Sequence, residues 1–393
     1  MKKFSVGPLG RPIGLALVSL VVSGGMVLGA PALAQTQAAV ADAPTPKAPA
    51  RQPMTVGVIG LSHDHVGNVF NSNSRGDIRI VGIVEPNREL ARRYVEKYGL
   101  SMNLVYDDMK TMLDKTHPVA VTGFGPIADH VHIVETAAPR GVNVMVEKPL
   151  ALNFRQAKTM ARLASVNHIH LLTNYETTWY PTGVEAKSLL NKGNFGLVRK
   201  MVFHDGHAGP SRIGVSKEFF AWLTDPKQNG GGAIIDFGCY GADLMTWLTR
   251  GETPLSVTAV TRHFQRATYP KVDDDATVIV DYPDAQGIIE ASWDWPVGRK
   301  DMELYATGGQ IIADDKYHLR TQGSNDATSQ AQTLSDRPHP YDDPFSYFTA
   351  VVRGDVVPEP YDPSSVETNL LVMKILDAAR ESAKTGKTVK VVD

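Results

Sequence analysis

Between residues 54 and 174 the sequence alternates short strands that are apolar throughout with segments of helical length. Strands that lack polar alternation are typical of a parallel sheet covered by helices on both faces. A helix signal follows the second strand, where Asn87 stands at the start of the segment and Gly99 at its end. The apolar runs are VGVIG, IRIVGIV, VAVTG, VNVMVE and HIHLLT. We therefore predict an α/β Rossmann domain, a doubly wound parallel sheet, over 54–174.

A different pattern begins near Tyr175. Several consecutive strands alternate apolar and polar residues, as strands do when one face of a sheet lies on a core. They include VRKMVFH, VTAVTRHF, ATVIVDY, GIIEASWDW and MELYAT. We predict a second α/β domain over 175–393, with a large, mostly antiparallel open sheet and helices on one face.

The composition favours a small molecule as partner. The chain has 40 basic and 42 acidic residues, with no long basic run and no arginines interleaved with aromatics, so nucleic acid is not expected to bind. With 42% hydrophobic residues, the 393-residue chain can bury two cores. The single cysteine, Cys239, excludes an intramolecular disulfide.

The first 34 residues have the order of a secretory signal peptide. Lys2 and Lys3 precede an apolar stretch over 13–30, and Ala-Leu-Ala stands at 32–34. An uncleaved N-terminal anchor is the alternative, because the apolar stretch is long for a signal. Residues 35–53 are rich in Ala, Pro and Thr, as linkers are. We expect a periplasmic or secreted protein that has no membrane contact beyond its signal.

The segment GVIGLSHDHVG lies where a nucleotide-binding glycine loop would follow the first strand. A dinucleotide fingerprint reads G-x-G-x-x-G, and here Gly60 keeps the first glycine, Ser62 replaces the second and His65 replaces the third. Asp64 places a carboxylate near the helix N-terminus that would receive the diphosphate. Taken alone, the loop leaves cofactor binding open.

Glu85 ends the second strand 25 residues after Gly60, where an acid would hold the adenosine ribose hydroxyls, and it favours NAD over NADP. Two interpretations of His63 and His65 remain. Either one of these histidines faces the diphosphate and offsets the charge of Asp64, or the pocket holds no cofactor. As metal ligands their i, i+2 spacing lacks a third partner. The same argument applies to two other histidine pairs, His130 with His132 and His204 with His207. No metal site is predicted.

Two further motifs carry a resemblance. Glu147-Lys148-Pro149 directly follows a strand, and GGGAIIDFGCYGAD covers 230–243. With His130, with VDDDATV at 272–278 and with SAKTGKTVKV near the C-terminus, they make the chain resemble the Gfo/Idh/MocA family of sugar and polyol oxidoreductases from about residue 54 onward. The resemblance implies a Rossmann domain and a substrate domain whose open sheet forms an oligomer interface. A homo-oligomer, dimer or tetramer, is expected.

The resemblance also implies catalytic residues. Lys148 would hydrogen-bond the reacting oxygen and stabilise alkoxide charge, and Asp236 would orient a substrate hydroxyl. Tyr240 stands where the family usually has a catalytic histidine. Glucose-fructose oxidoreductase and dihydrodiol dehydrogenase relatives have a tyrosine at this position. A tyrosine titrates at about 10 when unperturbed, so as a base it needs a neighbouring cation, which Lys148 would supply.

Other residues are expected to contact cofactor or substrate. The expected cofactor contacts are Gly60, Ser62, His63, His65, Glu85, His130, Glu147 and Lys148. The expected substrate contacts are Tyr175, Trp179 and His204.

The leading hypothesis is an exported NAD(P)-dependent oxidoreductase that transfers a hydride to or from a hydroxyl or carbonyl group of a sugar, polyol or sugar derivative. Because free dinucleotide is scarce outside the cytoplasm, the cofactor, NAD rather than NADP, would be tightly bound and recycled, as in exported glucose-fructose oxidoreductase. One alternative is an NAD-using glycosidase that oxidises, eliminates, hydrates and reduces without net redox change. A second is a cofactor-free binding protein that kept the fold.

Overall fold

The computed structural model describes residues 52–391 of the chain. The predicted signal peptide (1–34) and all but the last two residues of the predicted linker (35–53) lie outside the described residues. Within the described part, no helix is both long enough and apolar enough to cross a membrane.

The first half of the described chain builds a six-stranded sheet in which every neighbouring pair is parallel. Its strands are β1 (Met54–Ile59), β2 (Ile78–Val84), β3 (Val105–Tyr106), β4 (Ala120–Gly123), β5 (Asn143–Glu147) and β6 (Leu171–Asn174). They lie in the order β3-β2-β1-β4-β5-β6. This is the order of a Rossmann sheet, and the predicted fold class of this region is confirmed.

Five α-helices connect these strands. Asn87 caps the second of them, because its side chain accepts hydrogen bonds from the backbone N–H groups of Glu89 and Leu90. The helices are α1 (Val66–Arg75), α2 (Arg88–Lys97), α3 (Met109–Thr116), α4 (His130–Ala137) and α5 (Phe154–Val166). In an open parallel sheet, ligands bind beyond the carboxyl ends of the strands, where the strand order reverses. Here that point lies between β1 and β4.

The remainder of the chain builds a nine-stranded sheet. Its strands are β7 (Val198–Gly206), β8 (Ser256–Arg262), β9 (Asp275–Asp281), β10 (Gln286–Ser292), β11 (Arg299–Ala306), β12 (Gly309–Ala313), β13 (His318–Gly323), β14 (Gln330–Thr333) and β15 (Val389–Lys390). Their order is β14-β13-β12-β11-β7-β10-β9-β8-β15, and only β7 and β10 pair in parallel. The predicted large, mostly antiparallel sheet is confirmed.

Eight further α-helices belong to this second half. They are α6 (Pro181–Asn191), α7 (Pro210–Ile213), α8 (Lys217–Leu223), α9 (Pro226–Asn229), α10 (Ala233–Asp236), α11 (Gly238–Leu248), α12 (Pro344–Val352) and α13 (Val366–Thr385). α11 and α13 contact each other and pack on the nine-stranded sheet. α12 instead packs on the first sheet, where Phe345 and Phe348 share a core with Val56 and Phe70.

Candidate active site

A cavity of about 250 Å³ collects residues from both halves of the chain. It is bordered by the loop after β1, the segment after β5, helices α8, α10 and α11, and strand β11. Larger grooves lie elsewhere, but this cavity is the one that brings Lys148, Asp236 and Tyr240 together. Its ionisable and aromatic lining residues are His63, Asp64, His65, Lys148, Glu176, His207, Phe219, Asp236, Phe237, Tyr240 and Lys300.

A buried ion pair occupies one wall of the cavity. The Nζ atom of Lys148 lies 2.5 Å from Oδ1 of Asp236 and donates to its backbone oxygen at 2.7 Å. The second carboxylate oxygen of Asp236 accepts a hydrogen bond from Nε1 of Trp293 at 2.9 Å. Burial opposes both charges, yet the pairing outweighs it, so that the pKa of Lys148 is raised and the pKa of Asp236 is lowered. Lys148 therefore presents a fixed positive charge to the cavity.

Tyr240 lies beside this pair with its ring almost fully buried. The ammonium groups of Lys148 and Lys300 lie 5.0 Å and 4.5 Å from the centre of the ring. Burial, and then the negative charge of Glu176, raises the pKa of the Tyr240 hydroxyl well above its ordinary value. That Lys148 prepares Tyr240 to act as a base stays a prediction, which this rise in the pKa opposes. A raised pKa favours the protonated hydroxyl, which can donate a hydrogen bond.

Lys300 and Glu176 form a second ion pair in the cavity, which sequence reasoning missed. Burial would raise the pKa of Glu176, but Lys300 lowers it. Met302 and Leu304 occupy the buried face of β11, and strand alternation puts Lys300 on that same face. Lys300 stands two residues before the predicted strand MELYAT, in phase with its apolar face, and this was a signal in the sequence. Opposite it in register, Asp205 is buried, and burial raises its pKa to about 8.

The loop after β1 forms a third cluster on the facing wall. The Nδ1 atom of His65 lies 3.1 Å from Oε2 of Glu147, and Nε2 of His63 lies 3.9 Å from the same oxygen. Burial lowers the pKa of His63 to about 3. Burial raises the pKa of Glu147, but the two imidazoles outweigh it and bring that pKa to about 2. Glu147 is thus the third partner that His63 and His65 lack in the sequence, and these three residues have the donor atoms to hold a metal ion.

Two features of the loop fit a dinucleotide. Gly60 has φ of +77°, and a Cβ atom there would lie 2.9 Å from the backbone nitrogen of Gly125, so the tight turn requires glycine. Glu85 stands at the end of β2, where an acid would face the adenosine ribose. Its carboxylate is oriented by the backbone N–H groups of Leu61 and Asn87, at 3.0 and 2.8 Å.

The segment between these features differs from a glycine loop. The hydroxyl of Ser62 accepts a hydrogen bond from Nε1 of Trp222, and the N–H group of His63 bonds the backbone oxygen of Phe124. The N–H group of His65 bonds Nδ1 of His63 at 3.1 Å. The chain therefore keeps the turn and the ribose acid of a dinucleotide site, while groups that would face the diphosphate bond within the protein.

Helix α10 begins directly after the glycines at 230–232, and Asp273, which was not predicted as a site residue, holds this helix start in place. A Cβ atom on Gly232 would lie 1.7 Å from the backbone oxygen of Asp273. The Asp273 carboxylate accepts hydrogen bonds from the N–H groups of Gly232 and Ile234, at 2.9 and 2.7 Å. Asp273 belongs to the VDDDATV motif, so this motif positions the helix that carries Asp236.

Besides Gly60, Ser62, Glu85 and Glu147, which are described above, four more residues with a predicted site role do not line the cavity. His130 is fully buried, and its Nδ1 atom lies 3.1 Å from the backbone oxygen of Leu150. Tyr175 is also fully buried and donates to Oδ1 of Asn369.

The other two are Trp179 and His204. The indole of Trp179 donates to Oδ1 of Asn174. His204 pairs in register with Asp301 and Glu290, whereas the next residue, Asp205, pairs with Lys300 of the cavity. Since successive side chains of a strand point to opposite faces, His204 lies on the outer face of the sheet.

Comparisons with known proteins agree with this architecture. Residues 54–175 match a family model described as "Oxidoreductase family, NAD-binding Rossmann fold", and residues 184–312 match the GFO/IDH/MocA C-terminal domain. Among solved structures, an inositol dehydrogenase homolog from Azotobacter vinelandii complexed with NAD+ superposes with a TM-score of 0.75 at 18% identity, covering 86% of this chain and 97% of that one. Aldose-aldose oxidoreductase from Caulobacter crescentus gives 0.73 at 22% identity, covering 86% and 99%.

Two curated relatives match a smaller share of this chain than these solved structures do. Trans-1,2-dihydrobenzene-1,2-diol dehydrogenase of Xenopus laevis is 30% identical over 214 residues, which are 52% of this chain and 58% of that protein. The D-xylose 1-dehydrogenase (NADP(+)) of Haloarcula marismortui is 21% identical over 68% of this chain and 72% of its own length. The chain thus matches a little over half the length of the dihydrodiol dehydrogenase. With models of one family matching both halves, the chain belongs to the GFO/IDH/MocA family of oxidoreductases.

Proposed function

We propose that this chain is an NAD-dependent oxidoreductase that oxidises a hydroxyl group, or reduces a carbonyl group, of a sugar, polyol or sugar derivative. The observation that carries the proposal is the buried Lys148–Asp236 pair beside Tyr240, in a cavity at the carboxyl end of the Rossmann sheet. Relatives named as dehydrogenases of a dihydrodiol and of D-xylose support this class of substrate.

The chain's own residues would divide the work as follows. Gly60 would make the turn under the cofactor and Glu85 would hold its adenosine ribose, while the bound nicotinamide supplies a hydride acceptor. Lys148, with its charge fixed by Asp236, stabilises negative charge on the reacting oxygen. The Tyr240 hydroxyl would donate a proton to the same oxygen when a carbonyl is reduced, and would take the proton of the substrate hydroxyl back when the reaction runs as an oxidation.

Glu85 supports NAD rather than NADP as cofactor. A carboxylate at the end of β2 accepts hydrogen bonds from ribose hydroxyls and repels a 2′-phosphate. Burial raises the pKa of Glu85, but its two backbone donors counteract this. Comparing the dissociation constants of NAD and NADP for the wild type and for Glu85→Gln tests the choice: tighter NADP binding by the wild type would contradict it.

We also propose export and assembly. The order of Lys2, Lys3, the apolar stretch and Ala32 to Ala34 supports a cleaved signal and a periplasmic or secreted location. The open nine-stranded sheet, with Val260, Ile279 and Tyr305 exposed, supports a homo-oligomer. N-terminal sequencing of protein from the native compartment and light scattering of the mature chain test these two proposals.

The test of the activity begins with cofactor content. Protein purified from its native compartment is denatured and the supernatant is assayed for dinucleotide by mass and absorbance. We expect NAD to be retained without being added, and an absorbance change at 340 nm when aldoses or polyols are supplied. If no dinucleotide is released and added NAD or NADP does not bind, the oxidoreductase is contradicted and the cofactor-free binding protein is the remaining hypothesis.

One control separates the dehydrogenase from a glycosidase built on the same residues. Aryl glycosides are mixed with the purified protein without added NAD. Release of the aglycone with no net change in redox state contradicts a simple dehydrogenase, because such cleavage returns the hydride within each cycle. No release, with turnover of free sugars, supports the proposal.

A further inference from the structure

His63, His65 and Glu147 converge on one point from two separate parts of the Rossmann sheet. The histidines lie in the loop after β1 and Glu147 is the last residue of β5. Their three donor atoms all lie within 4.8 Å of one another. We propose that these residues bind a divalent transition-metal ion through His63 Nε2, His65 Nδ1 and Glu147 Oε2, in the cavity beside Lys148.

The separations suit coordination. Two ligand atoms that each lie about 2.1 Å from the same ion are about 3 to 4.2 Å apart, depending on the angle between the bonds. Glu147 Oε2 lies 3.1 Å from His65 Nδ1 and 3.9 Å from His63 Nε2. Imidazole with carboxylate is a donor set that suits zinc, iron, manganese and cobalt, and not the hard cations that prefer oxygen alone.

Residues behind the cluster orient its ligands, as is usual around metal sites. Asn174 donates from Nδ2 to Oε1 of Glu147 at 2.8 Å, and Trp179 in turn donates to Oδ1 of Asn174 at 3.0 Å. The other oxygen of Glu147 is thereby turned toward the histidines. The ring of His63 packs against Phe219, with the ring centres 4.4 Å apart. Trp179, expected to contact substrate, acts here as a positioning residue.

One contact in the loop changes when the ion binds. The N–H group of His65 donates to Nδ1 of His63 at 3.1 Å, which places the proton of the neutral His63 ring on Nε2. Coordination through Nε2 moves this proton to Nδ1, so the His65 amide gives up its bond to the ring. The exchange involves neighbouring residues of one loop.

The charge balance of the cavity allows a cation. Lys148 is close to the cluster and keeps its positive charge, but Asp236 bonds its ammonium group directly, so the pair carries no net charge. Three protein ligands leave coordination positions open, as in catalytic and not structural metal sites. The ion would bind water or a substrate oxygen at these positions. Binding of a substrate oxygen rests on the proposed function, whereas binding of water does not.

A second group with the same donor types serves as a matched control. His204, Asp301 and Glu303 also place their donor atoms within 4.8 Å of one another. Here groups outside the trio hold the donors, because Nδ1 of His204 lies 2.9 Å from Glu290 and Asp301 accepts two bonds from Arg299. At the proposed site the donor atoms of Glu147 and His65 face each other instead. This outer-face group is expected to bind no metal tightly.

The experiment measures metal content and affinity of the full mature chain without any substrate. Protein stripped with EDTA is titrated with Zn²⁺ by calorimetry and with Co²⁺ by visible absorption, and metal is counted by mass spectrometry after dialysis. We expect one equivalent per chain and a Co²⁺ spectrum with nitrogen ligands. Glu147→Gln and His65→Gln should each weaken binding by about 100-fold or more, and Asn174→Ala by about 10-fold, as changes behind a ligand do.

His204→Gln should leave the affinity and the stoichiometry unchanged. Circular dichroism melts of every variant separate lost binding from lost folding, and Asn174→Ala provides a variant whose ligands are all intact. The proposal is overturned if the stripped wild type binds no Zn²⁺ or Co²⁺ above the level of the His63→Gln/His65→Gln/Glu147→Gln variant, or if Glu147→Gln binds as the wild type does.

The result is independent of the proposed oxidoreductase. Metal binding without released or bound dinucleotide supports the site and contradicts the oxidoreductase. Dinucleotide binding by protein that holds no metal supports the oxidoreductase and contradicts the site.

Discussion

The two walls of the cavity satisfy their charged side chains in different ways. On one wall, Lys148 and Asp236 bond each other directly and Trp293 takes the remaining carboxylate oxygen. On the other wall, Glu147 faces His63 and His65, but only the second lies within hydrogen-bond distance.

This difference indicates which wall has a fixed geometry and which wall can take up a further ligand. A closed ion pair holds one geometry and presents one charge, which suits a residue that stabilises an oxyanion. An open cluster keeps room for another ligand. The closed wall also follows the family pattern, in Lys148-Pro149 and in the segment that carries Asp236 and Tyr240. The open wall joins Glu147 of the same motif to the loop in which the glycines have been replaced.

Removing the charge of the closed wall should have the largest effect. We expect Lys148→Met to lower kcat/KM by about 100- to 1000-fold, the range found when a donor to an oxyanion is removed. Because the change strands the buried Asp236 carboxylate, it should also lower the free energy of unfolding by about 3 to 5 kcal/mol. Steady-state kinetics and urea denaturation measure the two effects.

The double variant Lys148→Met/Asp236→Asn separates these effects. It removes the stranded charge, so it should recover much of the stability of the single variant without recovering its activity. Activity that returns together with stability would show that Lys148 only supports the fold, and that the closed wall is not chemically distinct from the open one.

Relief of a buried carboxylate opposite Lys300 in the second sheet should give the next largest effect. Burial raises the pKa of Asp205 to about 8, above its value in the unfolded chain, so the native state holds the proton more tightly. Stability from this group is present below about pH 4 and is lost as the pH rises through about 8. Asp205→Asn should therefore be more stable than the wild type at pH 8, on the order of 3 kcal/mol.

Urea denaturation of both proteins at intervals from pH 5 to pH 9 tests this prediction. The two curves should diverge as the pH rises. Parallel curves would show that Asp205 is ionised in the native protein, in which case Lys300 is shared between Glu176 and Asp205.

The sequence revealed much of the fold because the relevant signals are local. Apolar strands alternating with helices indicate a parallel sheet, and the strand patterns after Tyr175 indicate an antiparallel one. Lys148 and Asp236 were assigned to one site through motifs that place them at fixed points of the fold. These residues were predictable because short segments, each with its own sequence pattern, carry them.

The rest depended on contacts between distant residues. Glu147 stands 82 positions after His65, so the pair could not be read from spacing. Asp273 holds the start of α10 through the carboxylate of a motif that was noticed but not given a role. The raised pKa of Tyr240 could not be foreseen for another reason, since burial depends on the packed structure.

The open wall depends on the turn at Gly60, and a smaller effect should follow from changing it. Gly60→Ala forces an L residue to φ of +77° and brings its Cβ to 2.9 Å from the backbone of Gly125, so we expect a loss of about 2 to 3 kcal/mol in unfolding free energy and weaker NAD binding. Gly76→Ala is the matched control, because its φ is +87° but its Cβ would meet nothing within 4 Å. It should lose about 1 to 2 kcal/mol and leave NAD binding unchanged. NAD binding is measured by calorimetry. Equal effects of both variants would show that the turn at Gly60 has no specific role in binding the cofactor.

The smallest effect is expected at His204, which the sequence pattern placed near substrate and the structure places on the outer face of the second sheet. Its ring is largely buried but bonds Glu290, whose side chain is 42% exposed, so solvent screens the contact and we expect it to contribute about 0.2 to 1 kcal/mol. His204→Gln should therefore keep kcat and KM within about twofold and change the unfolding free energy by less than about 1 kcal/mol. A large rise in KM with an unchanged kcat would contradict this, because it would require the outer face of β7 to reach the substrate, most directly through a second copy of the chain packed against that sheet. The variant thus decides whether the two walls of the cavity are the complete site or whether the outer face also contributes to it.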